Sequence, residues 1–340
     1  MAQGARRRVL KNEVAMILTE EKTFTMPVTV IDARDSSGLC KNDMMMEFTN
    51  LELLHAVLTC TMPSGRLTPP FREKRKNELL QKMAMIENAL EVRGDQLVKS
   101  QRTMYLDVSE KGVISHCLGT VFAKILAGKM FQDDYLVSVN QIEQQGLEKI
   151  GCYGKKYRYD LIGFQKGAGA FSIWEAVGRS ENSQLAFRNA CGDAETVERA
   201  GSEEPLHRIA CMTYYEKGFY TAVVRENSKR EQMEEGPCFR FGRRDYLKAY
   251  YQPLMELLLA EHPEIMYAKT EHFCSAEISL PFLNEERTGT RRMYVGMGAQ
   301  LLRCLRSEKY EEADGWKNTE IPNRSRWFEG RDGICVRAEG

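Results

Sequence analysis

Two acidic residues stand where a hairpin would bring them together. Asp160 opens the apolar run Asp160-Leu161-Ile162-Gly163-Phe164, and Glu175 lies within Ala170-Phe171-Ser172-Ile173-Trp174-Glu175-Ala176-Val177. Both runs have the composition of strands, and Lys166-Gly167-Ala168-Gly169 between them is turn-like, which predicts a β-hairpin. Carboxylates on neighbouring strands can converge on one divalent cation. Mg2+ or Mn2+ takes hard oxygen ligands and keeps several waters, so two acids, a backbone carbonyl and a phosphate complete its shell. A cation held this way polarises a phosphodiester and activates water. A basic side chain near the second acid would stabilise the charge that grows on the phosphate oxygens. The alternative is structural, with strand-end carboxylates hydrogen-bonded to turns or paired with Arg158 or Arg179.

Other signals are weaker. No G-x-x-x-x-G-K-[ST] motif is present, and Gly167-Ala168-Gly169 sits between two strands rather than opening a helix, so neither a P-loop nor a dinucleotide fingerprint is read here. Ser180 to Gln184 is a polar helix entry whose backbone N–H groups could take a phosphate or simply cap the helix. Arg240, Arg243 and Arg244 interleave with Phe239, Phe241 and Tyr246, a combination that can hold phosphates and stack bases. Glu231, Glu234 and Glu235 dilute that cluster, and salt bridges at a domain joint are its competing use. Arg72, Lys74, Arg75 and Lys76 read as a solvated helix face.

These residues need a frame. Val113, Ile114, Cys117, Leu118, Val121, Phe122, Ile125 and Leu126 recur at helical spacing behind Ser109, read as the cap. Tyr135 to Val139 reads as a strand, Ser183 to Arg199 as a helix, and Arg208 to Tyr215 with Phe219 to Val224 as a second hairpin around Lys217-Gly218. A charge-rich loop covers residues 226–244, and a helix follows from Asp245 to Glu261. Upstream, Met26 to Asp32 is strand-like. The Met44-Met45-Met46 run is read as core filler ahead of a short helix at Asn50 to Leu54, and a second helix is expected to run from the basic cluster to about Val92.

Length and composition bound the answer. The chain has 340 residues, enough for a sizeable core, and its 48 basic and 48 acidic residues leave no net charge. Any nucleic-acid binding therefore needs a local basic patch rather than a whole-protein field. The ten cysteines are spread singly, without a C-x-x-C pair, so we expect free thiols in a reducing cytoplasm rather than disulfides or structural zinc. Arg6, Arg7 and Arg8 are followed by an apolar stretch too short for a secretory signal. No run of about 18 apolar residues suggests a membrane span.

The order helix, strand, Asp160 strand, Glu175 strand, helix, strand resembles the PD-(D/E)XK nuclease-like superfamily. It is most similar to a bacterial family with a Ser…Leu-Gly helix, an Asp-Leu-(Ile/Val)-Gly strand and a Glu-Ala-Lys-Gly-Arg-Ser strand end. The matching elements here are Ser115 to Gly119, Asp160-Leu161-Ile162-Gly163 and Glu175-Ala176-Val177-Gly178-Arg179-Ser180. The resemblance covers about a third of the chain. It implies an α/β fold with a restriction-endonuclease-like mixed sheet over residues 105–226, flanked by a mainly helical N-terminal region (1–104) and an α+β C-terminal region (227–340). It further implies a Mg2+ or Mn2+ site at Asp160 and Glu175, with Glu110 either as a further ligand or as a first-turn acid that complements the helix dipole, and nucleic-acid processing or defence against foreign DNA. Two departures stand out. Val177 occupies the lysine position, and Cys191 and Asp193 stand where polar Lys and Gln are expected on the next helix. Either a neighbour such as Lys155, Lys156, Lys166 or Arg179 supplies the charge, or the site has decayed into a scaffold for a protein or nucleic-acid partner, or for a second copy of the chain.

Overall fold

In the computed structural model, the described residues are 17–19, 21–32, 40–60, 72–143, 149–150, 160–167, 170–195, 199–200, 204–227, 238–239, 242–261, 273–283, 288–314, 316, 321 and 323–339. The first strands are β1 (Thr23–Asp32) and β2 (Cys40–Thr49), followed by helices α1 (Asn50–Cys60) and α2 (Arg72–Ala89) and the hairpin β3 (Leu90–Arg93) and β4 (Gln96–Lys99). Next come α3 (Val108–Phe131), β5 (Tyr135–Ser138), α4 (Val139–Glu143) and the two-residue β6 (Lys149–Ile150). The central part continues with β7 (Leu161–Phe164), β8 (Phe171–Gly178), α5 (Gln184–Glu195), β9 (Arg199–Ala200), β10 (His207–Glu216), β11 (Phe219–Glu226) and β12 (Cys238–Phe239). The chain closes with α6 (Arg243–Glu261), β13 (Phe273–Leu283), β14 (Thr288–Gly298), α7 (Ala299–Arg306), α8 (Tyr310–Asp314), β15 (Phe328–Glu329) and β16 (Cys335–Glu339).

A nine-stranded mixed sheet organises the molecule, and its main path runs β2-β1-β4-β11-β10-β8-β7-β5. Strands β5, β7 and β8 form an antiparallel meander, the crossover through α5 makes β8 and β10 parallel, and β10 returns as the hairpin partner of β11. Lys217 and Gly218 both take positive φ at that hairpin, the conformation that two-residue turns between twisted strands require. The residues read as the sheet interior are there: Ile162, Phe171, Ile173, Ile209 and Val223 are buried, and so are Leu118, Phe122 and Ile125 of α3.

The N-terminal region departs from expectation. It contributes four strands as well as α1 and α2, and β1 pairs in parallel with β11, so the sheet runs across the boundary expected at residue 104. The Met run lies in β2: Met46 is buried, while Met44 and Met45 are exposed on this edge strand. The second helix stops at Ala89, and Leu90 to Arg93 turn into a strand. Helix α3 starts two residues earlier than Ser109 suggested. Its cap is Asp107, in a reciprocal capping box in which the Asp107 side chain accepts from the Glu110 N–H and the Glu110 carboxylate accepts from the Asp107 N–H. By length and hydropathy α3 could cross a bilayer, contrary to the reading of the apolar runs, yet most of it is packed inside the fold against β8, β10 and α1.

The C-terminal strands β13, β14, β16 and β15 form a separate four-stranded antiparallel sheet. The β15–β16 turn is anchored to the helices by Asp332, which is fully buried. His55 Nε2 lies 3.1 Å and 3.0 Å from its two carboxylate oxygens, Tyr250 donates its hydroxyl, and the Ile334 N–H donates at 3.0 Å. Burial alone would raise the Asp332 carboxyl, but the charge of His55 and the hydrogen bonds bring it down to about 2. Cys60, Cys117, Cys191, Cys211, Cys274, Cys304 and Cys335 are free thiols.

Candidate metal centre

The local architecture begins with two glycines. On α3, a Cβ at Gly119 would overlap the backbone of Gly178, and a Cβ at Gly178 would overlap the Ser115 carbonyl. Helix and strand therefore meet backbone to backbone, which only glycine at both positions permits. This contact seats the C-terminal end of β8 against the first half of α3. It also gives the Ser115–Gly119 and Gly178 elements of the sequence pattern a packing role.

Alternation along β8 then sorts its side chains. Trp174 is fully buried and turns toward α3, where it meets Phe131 edge-on at 5.2 Å and donates to Asp133 at 2.8 Å. Glu175 and Val177 point to the opposite face, where α5 lies. Glu175 pairs with Ala210 and Val177 with Met212, and Val177 packs against the small cluster that joins α5 to the sheet through Phe187, Ala190, Cys191, Ala210 and Met212. The lysine position of the pattern is thus filled by an apolar contact.

Asp160 immediately precedes β7, one residue beyond the Leu161–Trp174 pair, which sets it opposite Glu175. Its backbone N–H donates to the Glu175 carboxylate. Glu175 is 4 % exposed, and among the described residues its buried Oε1 has no hydrogen-bond partner. Burial pushes its carboxyl well above the ordinary range, and the charges of Asp160 and then Asp193 push it further; the hydrogen bond from Asp160 offsets only part of this. Asp193, on α5, is itself raised by burial. Three carboxylates from β7, β8 and α5 therefore share one electrostatic environment, and the innermost has a lone pair unsatisfied.

A hard divalent cation suits these donors. It would occupy the orphaned Oε1, relieve the mutual repulsion and leave the remaining positions to water or phosphate. Among the described residues no three His, Cys, Asp or Glu side chains lie close enough together to form a ready-made cage. The candidate centre therefore offers two opposed carboxylates, Asp160 and Glu175, with the charge of Asp193 also acting on Glu175.

The other expected site residues are dispersed. Glu110 caps α3 and is exposed, so its carboxylate serves the helix terminus rather than the site, a role that suits an acid in the first turn. Arg179 is exposed; its N–H bonds the Thr213 carbonyl and its Nη1 the Gly178 carbonyl, which turns it back on the backbone. Lys166 donates its Nζ to the Trp316 and Arg331 carbonyls, away from the carboxylates. Lys155, Lys156, Arg158 and Arg240 lie outside the described residues. Arg243 and Arg244 open α6, which stacks Tyr246 on Phe164 at 3.4 Å, at the end of β7 remote from Asp160. Arg244 is exposed and ion-paired with Glu308, the salt-bridge use anticipated for the cluster.

Sequence reasoning passed over Arg225. This residue of β11 pairs with Ala210, which pairs with Glu175, so all three share one row and one face of the sheet. Its side chain hydrogen-bonds Cys191 on α5, and among the described residues its Nε has no partner. Burial pushes the Cys191 thiol up to about 11, and Arg225 draws it partly back. Compared with family models, with curated proteins and with solved structures, the chain matches none.

Proposed function

We propose that this chain is a PD-(D/E)XK-type, restriction-endonuclease-like protein that holds Mg2+ or Mn2+ on Asp160 and Glu175 and binds nucleic acid there through a phosphate, with cleavage weakened by Val177. The observation that carries the reading is the Asp160–Glu175 pair: adjacent strands, opposed positions, and a buried Glu175 oxygen without a partner among the described residues. The connectivity supports it, because α3-β5-β7-β8-α5-β10, with the short α4, β6 and β9 interposed, follows the helix, three strands, helix, strand order that the sequence resemblance implies. Asp193 adds negative charge behind the pair, which strengthens the attraction for a divalent ion.

Chemistry would divide among the residues as follows. Asp160 and Glu175 bind the ion, which supplies Lewis acidity and lowers the pKa of a bound water. Val177 offers the phosphate oxygens neither a proton nor a charge. Loss of one such electrostatic contact typically costs about 2.7–4 kcal/mol of transition-state stabilisation. Metal affinity rests on the carboxylates, so it survives this loss. In nucleic-acid processing or defence in the cytoplasm, such a protein grips its target and cuts it slowly or not at all. A non-catalytic scaffold is the competing reading, favoured by the packing of Val177 into the α5 cluster.

The test combines Mn2+ titration by calorimetry with plasmid nicking in Mn2+ for wild type, Asp160→Ala and Val177→Lys. We expect Mn2+ binding by wild type that Asp160→Ala abolishes, with little nicking until Val177→Lys restores it. Absence of Mn2+ binding together with no gain from Val177→Lys would overturn the proposal in favour of the scaffold.

A further inference from the structure

We infer that the outer edge of β2 is a dimer interface, on which a second copy of this chain adds its own β2 antiparallel, with Met44 on the two-fold axis. The inference is independent of the nuclease-like reading.

The main path of the nine-stranded sheet ends at β2 on one side and at β5 on the other, and the two ends differ. Strand β5 is short and largely buried, and α6 covers it, with Tyr246, Tyr250 and Tyr251 packed around Tyr135. Strand β2 has ten residues and no proline, and its register with β1 runs unbroken from Cys40 to Thr49. Among the described residues no strand pairs with its outer side. Lys41 to Met45 and Glu47 are exposed. Long edges are ordinarily blunted by bulges, prolines or a covering element, because their free amides and carbonyls recruit another strand.

The backbone fixes which residues face outward. In a strand the N–H and C=O groups of successive residues point alternately to the two sides. On β1 the Thr25 N–H donates to the Asp95 carbonyl at 2.8 Å, and the Pro27 carbonyl accepts from Thr221, so its odd-numbered residues face β4 and β11. Met26, Val28 and Val30 therefore bond β2, at Met46, Met44 and Asn42. Lys41, Asp43, Met45 and Glu47 are left to present their N–H and C=O groups to a further strand.

Charge then selects the occupant and its register. With Met44 opposite Met44 of the second copy, Lys41 meets Glu47 at both symmetry-related positions, and Asp43 lies opposite Met45. Asp43 already accepts from Thr29 within its own copy at 2.6 Å. Moving the axis to Asp43 would oppose two Asp43 carboxylates, and moving it to Met45 would oppose Asp43 and Glu47. Opposite charges across a pair of strands support the pairing, and like charges work against it. Each copy contributes the same edge, so the contact closes on itself and assembly stops at the dimer.

The test is sedimentation velocity of the full chain over a concentration series, for wild type, Met45→Pro, Lys41→Glu, Glu47→Lys and the charge-swapped double variant. Wild type should show a monomer–dimer equilibrium. Met45→Pro removes an outward N–H that β1 does not use, so it should abolish the dimer and keep the far-UV circular dichroism of wild type. Each single charge variant should raise the dissociation constant about tenfold, because both symmetry-related pairs turn repulsive. The double variant should restore the wild-type value. Lys41 and Glu47 of one copy stand roughly 20 Å apart along the strand, so that rescue can arise only between copies. Should Met45→Pro alter the fold, the charge variants at exposed positions decide the question alone. A wild type that stays monomeric overturns the proposal, as does a dimer that a folded Met45→Pro leaves intact. Single charge variants without effect, or a double variant without rescue, overturn it too.

Discussion

Replacing Glu175 by Gln should make the protein more stable at neutral pH. Glu175 is 4 % exposed, its Oε1 has no hydrogen-bond partner among the described residues, and Asp160 and Asp193 repel its charge. An unsatisfied buried polar group costs about 1–3 kcal/mol, more when charged. Glutamine keeps the shape, still accepts from the Asp160 N–H and carries no charge, so we expect a gain of about 1–3 kcal/mol at pH 7.5. For a chain of 340 residues that is roughly 1–4 °C in melting temperature. The pH dependence gives the sign check. The Glu175 pKa is raised in the fold above its ordinary 4.5, so the folded state holds a proton that the unfolded chain has released. Wild-type stability therefore falls as pH rises above about 4.5, until the folded carboxyl has also lost its proton. The advantage of Glu175→Gln should vanish near pH 4 and be complete at the alkaline end. Urea unfolding of both proteins at pH 4, 6 and 7.5 reads this directly. Saturating Mn2+ should reverse the order, stabilising wild type by about 2.7 kcal/mol at a hundredfold excess over Kd and leaving the variant unmoved. A Glu175→Gln protein less stable than wild type at pH 7.5, or equally more stable at pH 4, would refute the argument that burial of this carboxyl group destabilises the fold.

Asp332→Asn removes the charge that faces His55 and Tyr250, and should cost about 3–5 kcal/mol in urea unfolding at pH 7. Because the Asp332 carboxyl is held down at about 2, its contribution is present above the ordinary aspartate value of 3.8 and fades as pH falls through 2, so the variant and wild type should converge in acid. Gly178→Ala drives a methyl into the Ser115 carbonyl and should cost about 1–3 kcal/mol or more, measured by thermal denaturation, whereas Gly167→Ala should act only through its positive φ, because nothing lies near that position.

The sequence made the central elements readable because their patterns are local. The helical spacing from Val113 to Leu126, the strand runs around Ile162 and Ile173 and the Lys217-Gly218 turn each carry their signal within about a dozen residues. The pairing of Asp160 with Glu175 followed from a hairpin, again a short-range inference. What escaped notice depends on distant pairing. Nothing near Val28 announces that it pairs with Ala222, and nothing near Arg225 places it in register with Glu175, because register across a mixed sheet is set by the whole sheet. Glu110 could be read either as a ligand or as a first-turn acid, because a helix terminus and a metal call for the same side chain; Asp107 three residues before it was the missed signal for the capping box. Gly119 and Gly178 carry a family-like pattern whose physical reason, backbone contact between helix and strand, appears only in three dimensions.

Strand β1 also has a consequence for how the protein is made. Thr221 of β11 donates to the Pro27 carbonyl of β1 across 194 positions of sequence. At roughly 5–20 residues per second, β1 emerges from the ribosome about 10–40 s before the strand that completes it. Throughout that interval the β1–β2 hairpin presents Phe24, Met26, Val28, Met46 and Phe48, all buried in the finished fold, with an unpaired strand edge beside them. A hairpin so exposed is a template for pairing with other nascent chains. Its methionine-rich flank gives a chaperone a pliable apolar surface to hold until β11 arrives.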